Sequence, residues 1–362
     1  MKWPQATLRS WFGARLGAKA RAPAEGEPPH HDLFTAEEMQ QHGLRLAAGH
    51  RLSSRRGADR LLARLGENER ALAQACTLLG CRPDPDRRAT PAGEWLLDNF
   101  HLIDEEIRTA RRLLPAGYSR RLPRLEVDGG PSEPRVYALA SQVVTHTDGR
   151  IDRRSLWRFV EAYQSVHPLR LGELWAMPIM LRLALIENLR RVAVRVADSL
   201  VDRELADGWA DLLIGTASQA PRDLILVVAD MARSEPPLTA PFVSELARRL
   251  HGRGSALAFA LDWVEQRLAE HSQTLESLIG AEAQAQAADQ VSVANGIGGL
   301  RLLASIDWRR FVESLSTVEQ TLRQDPAQVY GAMDFATRDA YRHAVEQAAR
   351  ASGTEEPAVA QA

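Results

Sequence analysis

At 362 residues, with 45% hydrophobic and 25% charged side chains, the chain has an ordinary globular composition and length enough for one large or two medium domains. A formal net charge of −2 offers no concentrated basic surface to displace counterions, which argues against a nucleic-acid binder. No stretch reaches the roughly 18 to 20 uninterrupted apolar residues of a membrane span, and residues 224–229 fall far short of it.

Residues 1–22 are basic, with Leu8, Trp11, Phe12 and Leu16 on one helical face and Arg9, Arg15, Lys19 and Arg21 around it. This segment lacks the continuous apolar core of a secretory signal. Its pattern is that of a helix able to lie on an anionic membrane surface, or of a frayed terminus. Residues 23–32, with their prolines and His30–His31, read as a linker, so that 1–32 form a flexible basic N-terminus. Lys2 and Lys19 are the only lysines, and nearly all positive charge is arginine.

Thr35 followed by Glu38 has the form of a capping box and opens a predicted helix over 36–48. A second helix is predicted over 58–79. Cys76 and Cys81 flank its end with no second pair to complete a zinc site, and are expected to be reduced thiols. Residues 80–90 break the pattern. Within them Asp84, Pro85 and Asp86 spell the Asp-x-Asp that holds a metal and a sugar nucleotide in many glycosyltransferases, but no strand-like run precedes them and a loop is expected.

From Pro91 a single helix is predicted to about residue 114. Asp104, Glu105 and Glu106 offer carboxylates for acid–base chemistry, yet Asp104 and Glu105 stand four and three residues before Arg108, the spacing of surface ion pairs. Residues 115–134 form an extended connection. Helices at 136–145 and 155–164 follow, separated by an Asp148-Gly149 turn. His146 and Asp148 have no third metal ligand near in sequence.

The central stretch 172–191, GELWAMPIMLRLALIENLRR, organises the rest. Leu174, Met177, Leu181, Leu185, Leu189, Val192, Val196 and Leu200 recur at steps of three or four, while Ile179, Met180, Leu183 and Ile186 make the first half apolar all round. A long buried helix is predicted, with Arg182 in need of a partner and Pro178 near its start or splitting off a first turn. Its second half, with Glu187, Arg190 and Arg191, reads as an ion-paired, half-exposed face.

Further helices are predicted at 208–216, 221–232, 241–250, 255–271, 274–306, 308–322 and 337–350, with a short segment at 326–331. Asn295-Gly296-Ile297-Gly298-Gly299 follows a helical run and lacks a Walker lysine, so close helix packing is the expected reason for its glycines. Strand-like alternation is scarce. The fold class is all-α, a multi-helix bundle or array around a long buried central helix, with one helical domain over 33–351, a sub-boundary near 206–220 and a tail over 352–362.

Several stretches together resemble the N-terminal region of bacterial cyclic β-1,2-glucan synthases: GEWLLDNFHLIDEEIR at 93–108, LPAGYSRRLPRL at 114–125, residues 134–137 with HTDGRID at 146–152, and the central 172–191. The match continues in QAADQVSVANGIGGLRLLASIDW at 286–308 and VEQTLRQDPAQVYGAMDFATRDAY at 318–341. It covers about residues 82–362. In that family such a region precedes membrane helices, a cytoplasmic transferase that uses UDP-glucose, and a phosphorylase-like portion. The resemblance implies a non-catalytic, cytoplasmic helical lead-in at the inner membrane face. Its tail would lead toward the membrane and transferase portions, which this chain lacks.

The same resemblance implies no cofactor for this chain, UDP-glucose and a divalent metal belonging to the full-length enzyme. Its partners would be the transferase and membrane portions, β-1,2-glucan, and a membrane surface met by residues 1–22. Sugar contact would use aromatic faces and planar polar groups. The matching stretches supply Trp95, Asn99, His101, Tyr118, Trp175, Asn188, Arg190, Arg191, Trp308, Arg338 and Tyr341. For Trp95, Trp175 and Trp308 a core position is the plainer expectation. A stand-alone helical interaction scaffold is the alternative, and a glycoside hydrolase, which needs two carboxylates facing across a cleft, ranks last.

Overall fold

A computed structural model describes residues 33–53, 57–80, 90–126 and 132–362. The expected basic helix at 1–22, the linker at 23–32, Cys81 and the Asp84-Pro85-Asp86 run lie outside them. Among the described residues the fold is all-α, as the sequence predicts: fifteen α-helices and one antiparallel pair of two-residue strands, β1 (Leu52–Ser53) and β2 (Arg124–Leu125). The helices are α1 (Ala36–Gly49), α2 (Leu61–Gly80), α3 (Pro91–Asp98), α4 (Phe100–Leu113), α5 (Arg135–His146), α6 (Arg153–Gln164), α7 (Leu171–Gln219) and α8 (Leu224–Ser234). They continue as α9 (Ala240–Leu250), α10 (Ser255–Ala269), α11 (Leu275–Ser305), α12 (Trp308–Leu315), α13 (Thr317–Leu322), α14 (Phe335–Ser352) and α15 (Glu356–Gln361).

Helix α7 is the axis of the molecule. Its 49 residues span roughly 73 Å at 1.5 Å per residue. Pro178 lies inside it without ending it. Leu174, Ala176, Met177, Met180, Leu181, Leu185, Ile186 and Leu189 are fully buried, packed chiefly against α2, α5 and α11. The separate helix expected at 208–216 is the C-terminal end of this same rod. No proline interrupts the rod between Pro178 and Pro221, and glycines at 208 and 215 cost only about 1 kcal/mol each.

Two hydrophobic clusters share the rod. The larger runs along α7 to Ala197 and gathers α1 to α6, the end of α11 and α12. The smaller begins at Ala206 and is built from the end of α7 with α8, α9, α10 and Leu275 and Leu278 at the start of α11.

Local signals set most boundaries. The Thr35 hydroxyl accepts from the Glu38 N–H, and the Glu38 carboxylate accepts from the Thr35 N–H at 2.7 Å, the reciprocal pattern read from the sequence. Thr35→Ala should therefore cost about 1 kcal/mol in urea denaturation; an unchanged midpoint would show that packing alone holds α1.

The helix predicted from Pro91 is broken at Asn99, whose side-chain N–H donates to the Trp95 carbonyl at 2.9 Å. The Asn99 side-chain oxygen accepts from Arg301 at 2.7 Å. A short polar side chain competing for a backbone carbonyl of its own helix ends α3. Ser316 divides 308–322 by a different device, as an N-cap whose hydroxyl accepts from the Glu319 N–H.

Arg182 finds its partner in Glu106, both nearly buried. Glu106 is thus an inward group of α4, whereas Asp104 pairs with Arg108 on the surface as its spacing predicts. The glycines of 295–299 do serve close packing: a Cβ on Gly299 would lie 2.6 Å from the Gly149 carbonyl oxygen, and one on Gly296 would lie 2.7 Å from Leu189. Cys76 is buried, and burial pushes its thiol up to about 11.

A polar groove at the start of the central helix

The first turn of α7 is held by carboxylates. Glu173, fully buried at the third helical position, accepts from the Arg170 N–H at 3.0 Å, and Glu356 of α15 accepts from the Leu171 N–H at 2.8 Å. Both satisfy donors that a helix start leaves open. Arg135 matches Glu173, its Nε donating to Oε1 at 2.8 Å, while its guanidinium also reaches the Pro168 carbonyl.

Beside this turn a groove of about 690 Å³ lies between the start of α7, the 118–123 segment and α14 with α15. Trp175 and Tyr118 supply its aromatic surface. Trp175 meets Phe335 edge to face, with ring centroids 6.4 Å apart. Among the described residues its indole N–H, shielded from solvent, has no hydrogen-bond acceptor. Polar groups complete the lining: Arg121, Arg170 and Arg350 as donors, Glu346, Glu356 and Asp339 as acceptors, with His343 and Gln347 between them.

Most of the acids are already engaged. Glu346 pairs with Arg350 at 2.6 Å, and Asp339 with Arg342 at 2.9 Å. Burial, reinforced by the nearby Glu346 charge, pushes the Glu356 carboxyl above its ordinary range. Burial and Glu346 likewise push the Tyr118 hydroxyl up.

The raised Glu356 has a testable consequence. The fold prefers its protonated form, so this group's contribution to stability is full below about pH 4.5 and is lost as pH rises through the higher folded value. Glu356→Gln keeps an acceptor for the Leu171 N–H and removes the charge. The variant's melting temperature should therefore gain on the wild type between pH 4 and pH 7, and an equal difference at both pH values would refute the assignment.

Of the eleven residues singled out from the sequence, the groove gathers Tyr118 and Trp175. Arg338 and Tyr341 lie on its wall helix α14 without lining it: Arg338 is bound to Glu313 at 2.6 Å, and Tyr341 is half exposed with its ring edge-on to Tyr330. Trp308 is partly buried in the larger cluster and donates to the Leu303 carbonyl. Trp95, expected in the core, is 45% exposed: it stands about 100° around α3 from its neighbour Leu96, and Leu96 with Ala92 and Gly93 forms the buried face.

His101 is exposed and Asn99 is a nearly buried helix junction. Asn188, Arg190 and Arg191 lie on a half-exposed stretch of α7, where Glu187 accepts from the Tyr137 hydroxyl at 2.7 Å and faces Arg191 at 3.9 Å and Arg64 at 3.8 Å. His146 stacks on Phe34 at 4.2 Å, and Asp148 accepts from Ser292. Sequence reasoning missed Arg170, Glu173, Glu346, Arg350 and Glu356. Glu173 in the first turn of the predicted central helix and the i,i+4 spacing of Glu346 and Arg350 were the local signals; what brings these groups together with Glu356 is tertiary packing.

The described residues therefore make up an all-helical protein with a polar, aromatic-walled groove at one end of its central helix. No family model matches the chain. Over 294 residues it is 35% identical to the cyclic beta-(1,2)-glucan synthase NdvB of Rhizobium meliloti (strain 1021), a match that takes in 81% of this chain and 10% of that protein. The resemblance to cyclic β-1,2-glucan synthases read from the sequence is thereby borne out, and the chain spans about a tenth of the length of the curated relative it matches. Among the described residues no helix is long and apolar enough to cross a membrane, and no group of three or more His, Cys, Asp or Glu could hold a metal ion.

Proposed function

We propose that this chain is a non-catalytic helical portion of a cyclic β-1,2-glucan synthase, corresponding to the region that precedes the membrane and transferase parts. In this reading it works at the cytoplasmic face of the inner membrane and supports a UDP-glucose-dependent glycosyltransferase. The observation that carries it is the 35% identity sustained over 294 residues with a synthase. The engaged state of the groove carboxylates fits a supporting part better than a hydrolase: Glu346 and Asp339 are each tied to an arginine, and Glu356 caps a helix. Such groups hold structure and are poorly placed to exchange protons with a substrate.

The test is an exchange in the Rhizobium synthase. Its matching segment is deleted, or replaced by residues 34–362 of this chain, and cyclic glucan is measured in membranes supplied with UDP-glucose. Deletion should abolish the product and the replacement should restore a substantial part of it. A deletion that leaves glucan synthesis unchanged would refute the reading, as would turnover of UDP-glucose by this chain alone.

A further inference from the structure

Helix α8, with the 3-10 turn Pro221–Asp223 that leads into it, packs inward through Leu224, Val228 and Met231. Its outer face is apolar at the centre and charged at both ends. Ile225 and Leu226 are each 60% exposed, more than any other large hydrophobic side chain among the described residues. Ala229, one turn further on from both, is exposed beside them. An isolated exposed leucine needs no explanation, but two neighbours flanking a small residue on one helix face make a surface fit for contact.

The charges around that centre are arranged in a way that names the occupant. Arg222 stands one turn before Leu226 and Asp230 one turn after it, with Arg233 paired to Asp230 at the far end. Arg222 has no ion-pair partner among the described residues. We infer that the outer face of α8 is a self-pairing surface, on which a second copy of this chain lays its own α8 antiparallel about a two-fold axis near Leu226. Such an axis sets each position before Leu226 against the position equally far after it, so Arg222 of each copy meets Asp230 of the other. Asp223 then comes within a turn of the other copy's Arg233.

Two Arg222–Asp230 bonds would thus flank a centre of Ile225, Leu226 and Ala229, and the small side chain of Ala229 lets the axes approach to the roughly 8–10 Å of packed helices. A parallel pairing would set Arg222 against Arg222 and Asp230 against Asp230, which the like charges oppose. The face is therefore complementary to itself, as a two-fold contact requires. An anionic membrane surface would meet the same apolar centre but would also meet Asp223 and Asp230, which it repels. One helix face is small beside the roughly 1,200–2,000 Å² of a stable interface, so a dissociation constant weaker than about 1 µM is expected.

The experiment is sedimentation equilibrium of the whole chain at loading concentrations from about 1 µM to 1 mM, which span that range. The average mass should rise from that of one chain toward that of two. Leu226→Asp should abolish the rise and, at an exposed position, leave the melting temperature of dilute protein unchanged. Arg222→Glu and Asp230→Arg should each weaken association about tenfold, because two exposed ion pairs per dimer become repulsions. The double variant R222E/D230R restores both pairs with reversed sign and should recover most of the affinity.

A chain that stays monomeric to the highest concentration overturns the inference, as does a dimer indifferent to Leu226→Asp. Single charge reversals that the double variant fails to rescue overturn the antiparallel geometry and the inference with it. A monomer that instead binds vesicles containing anionic lipid, and loses that binding in Leu226→Asp, assigns the face to a membrane and overturns self-pairing. None of these results bears on the segment-exchange experiment, so the two readings fail separately.

Discussion

Replacing Arg342 by methionine should cost this protein about 3–5 kcal/mol, the usual price of removing one partner from a buried ion pair. Arg342 is a large, fully buried side chain of α14, and its guanidinium donates to the equally buried Glu319, to Asp339 at 2.9 Å and toward Glu313 at 3.3 Å. The Tyr330 hydroxyl donates to Glu319 at 2.6 Å, and Arg323 adds a further bond at 2.7 Å. Methionine fills much of the same volume, so the loss isolates the charge: Glu319 would remain in the interior with fewer donors to hold it.

The pH dependence of this network has a definite sign. Burial alone would raise the Glu319 carboxyl, but hydrogen bonds from Tyr330, Arg342 and Arg323 outweigh it and hold the group below its ordinary range. A depressed carboxylate contributes stability that is complete above its unfolded value, near pH 4.5, and disappears as pH falls through the lower folded one. Urea denaturation at pH 7 and again at pH 3 should show the wild type losing more than Arg342→Met does. Hydrogen exchange should place the loss in α13 to α15. A variant within 1 kcal/mol of the wild type at pH 7 would mean that Glu319 finds other partners or water.

The second large effect is expected where α11 crosses the turn before α6. Gly299→Ala should destabilise by about 1–3 kcal/mol, the range for overpacking a filled interior. An added Cβ would sit 2.6 Å from the Gly149 carbonyl oxygen and 3.2 Å from Leu185, and the first of these is backbone, which cannot swing aside. Gly149 itself has φ +76°, a left-handed conformation that glycine adopts without strain, so its carbonyl is fixed in direction. Helix propensity pulls the other way, favouring alanine by about 1 kcal/mol. A stabilised Gly299→Ala would therefore show that the two elements can part. Gly298, two residues from Gly296 on the open side of the same helix, has nothing within 4 Å of its Cβ position, and Gly298→Ala should be neutral or stabilising.

Both effects depend on elements that the sequence announces and on contacts that it does not. Apolar residues at steps of three and four identify α7 as a buried rod before any coordinates, because helical period and burial are local properties of the pattern. The capping box at Thr35 and the glycines at 296 and 299 could be read for the same reason. So could Arg182, since a lone charge among apolar neighbours must be paired, although nothing local names Glu106 as its partner. The likeness to a glucan synthase was also legible, carried by long stretches of matching order.

The break at Asn99 and the continuity of α7 through Gly208 were misread because each is decided by a modest energy that context overturns. Asn99 ends a helix here because Arg301, some 200 residues later in the chain, holds its side-chain oxygen. Residues 208–216 continue α7 and form no separate helix, since a second cluster packs against the same rod and keeps it helical. The groove was the least legible feature. Tyr118 and Trp175 could be proposed as single residues, but Glu356 sits in a stretch that reads as a tail.

Composition, helical period and capping chemistry thus determine the all-α class, the central helix and the family likeness, because each acts over a few residues or over a continuous run of sequence. The pairing of Arg342 with Glu319, the contact of Gly299 with Gly149, and the closing of α15 over the start of α7 were decided only by the tertiary structure. Each joins distant segments through the direction of a side chain or a carbonyl, and one-dimensional spacing carries no record of that.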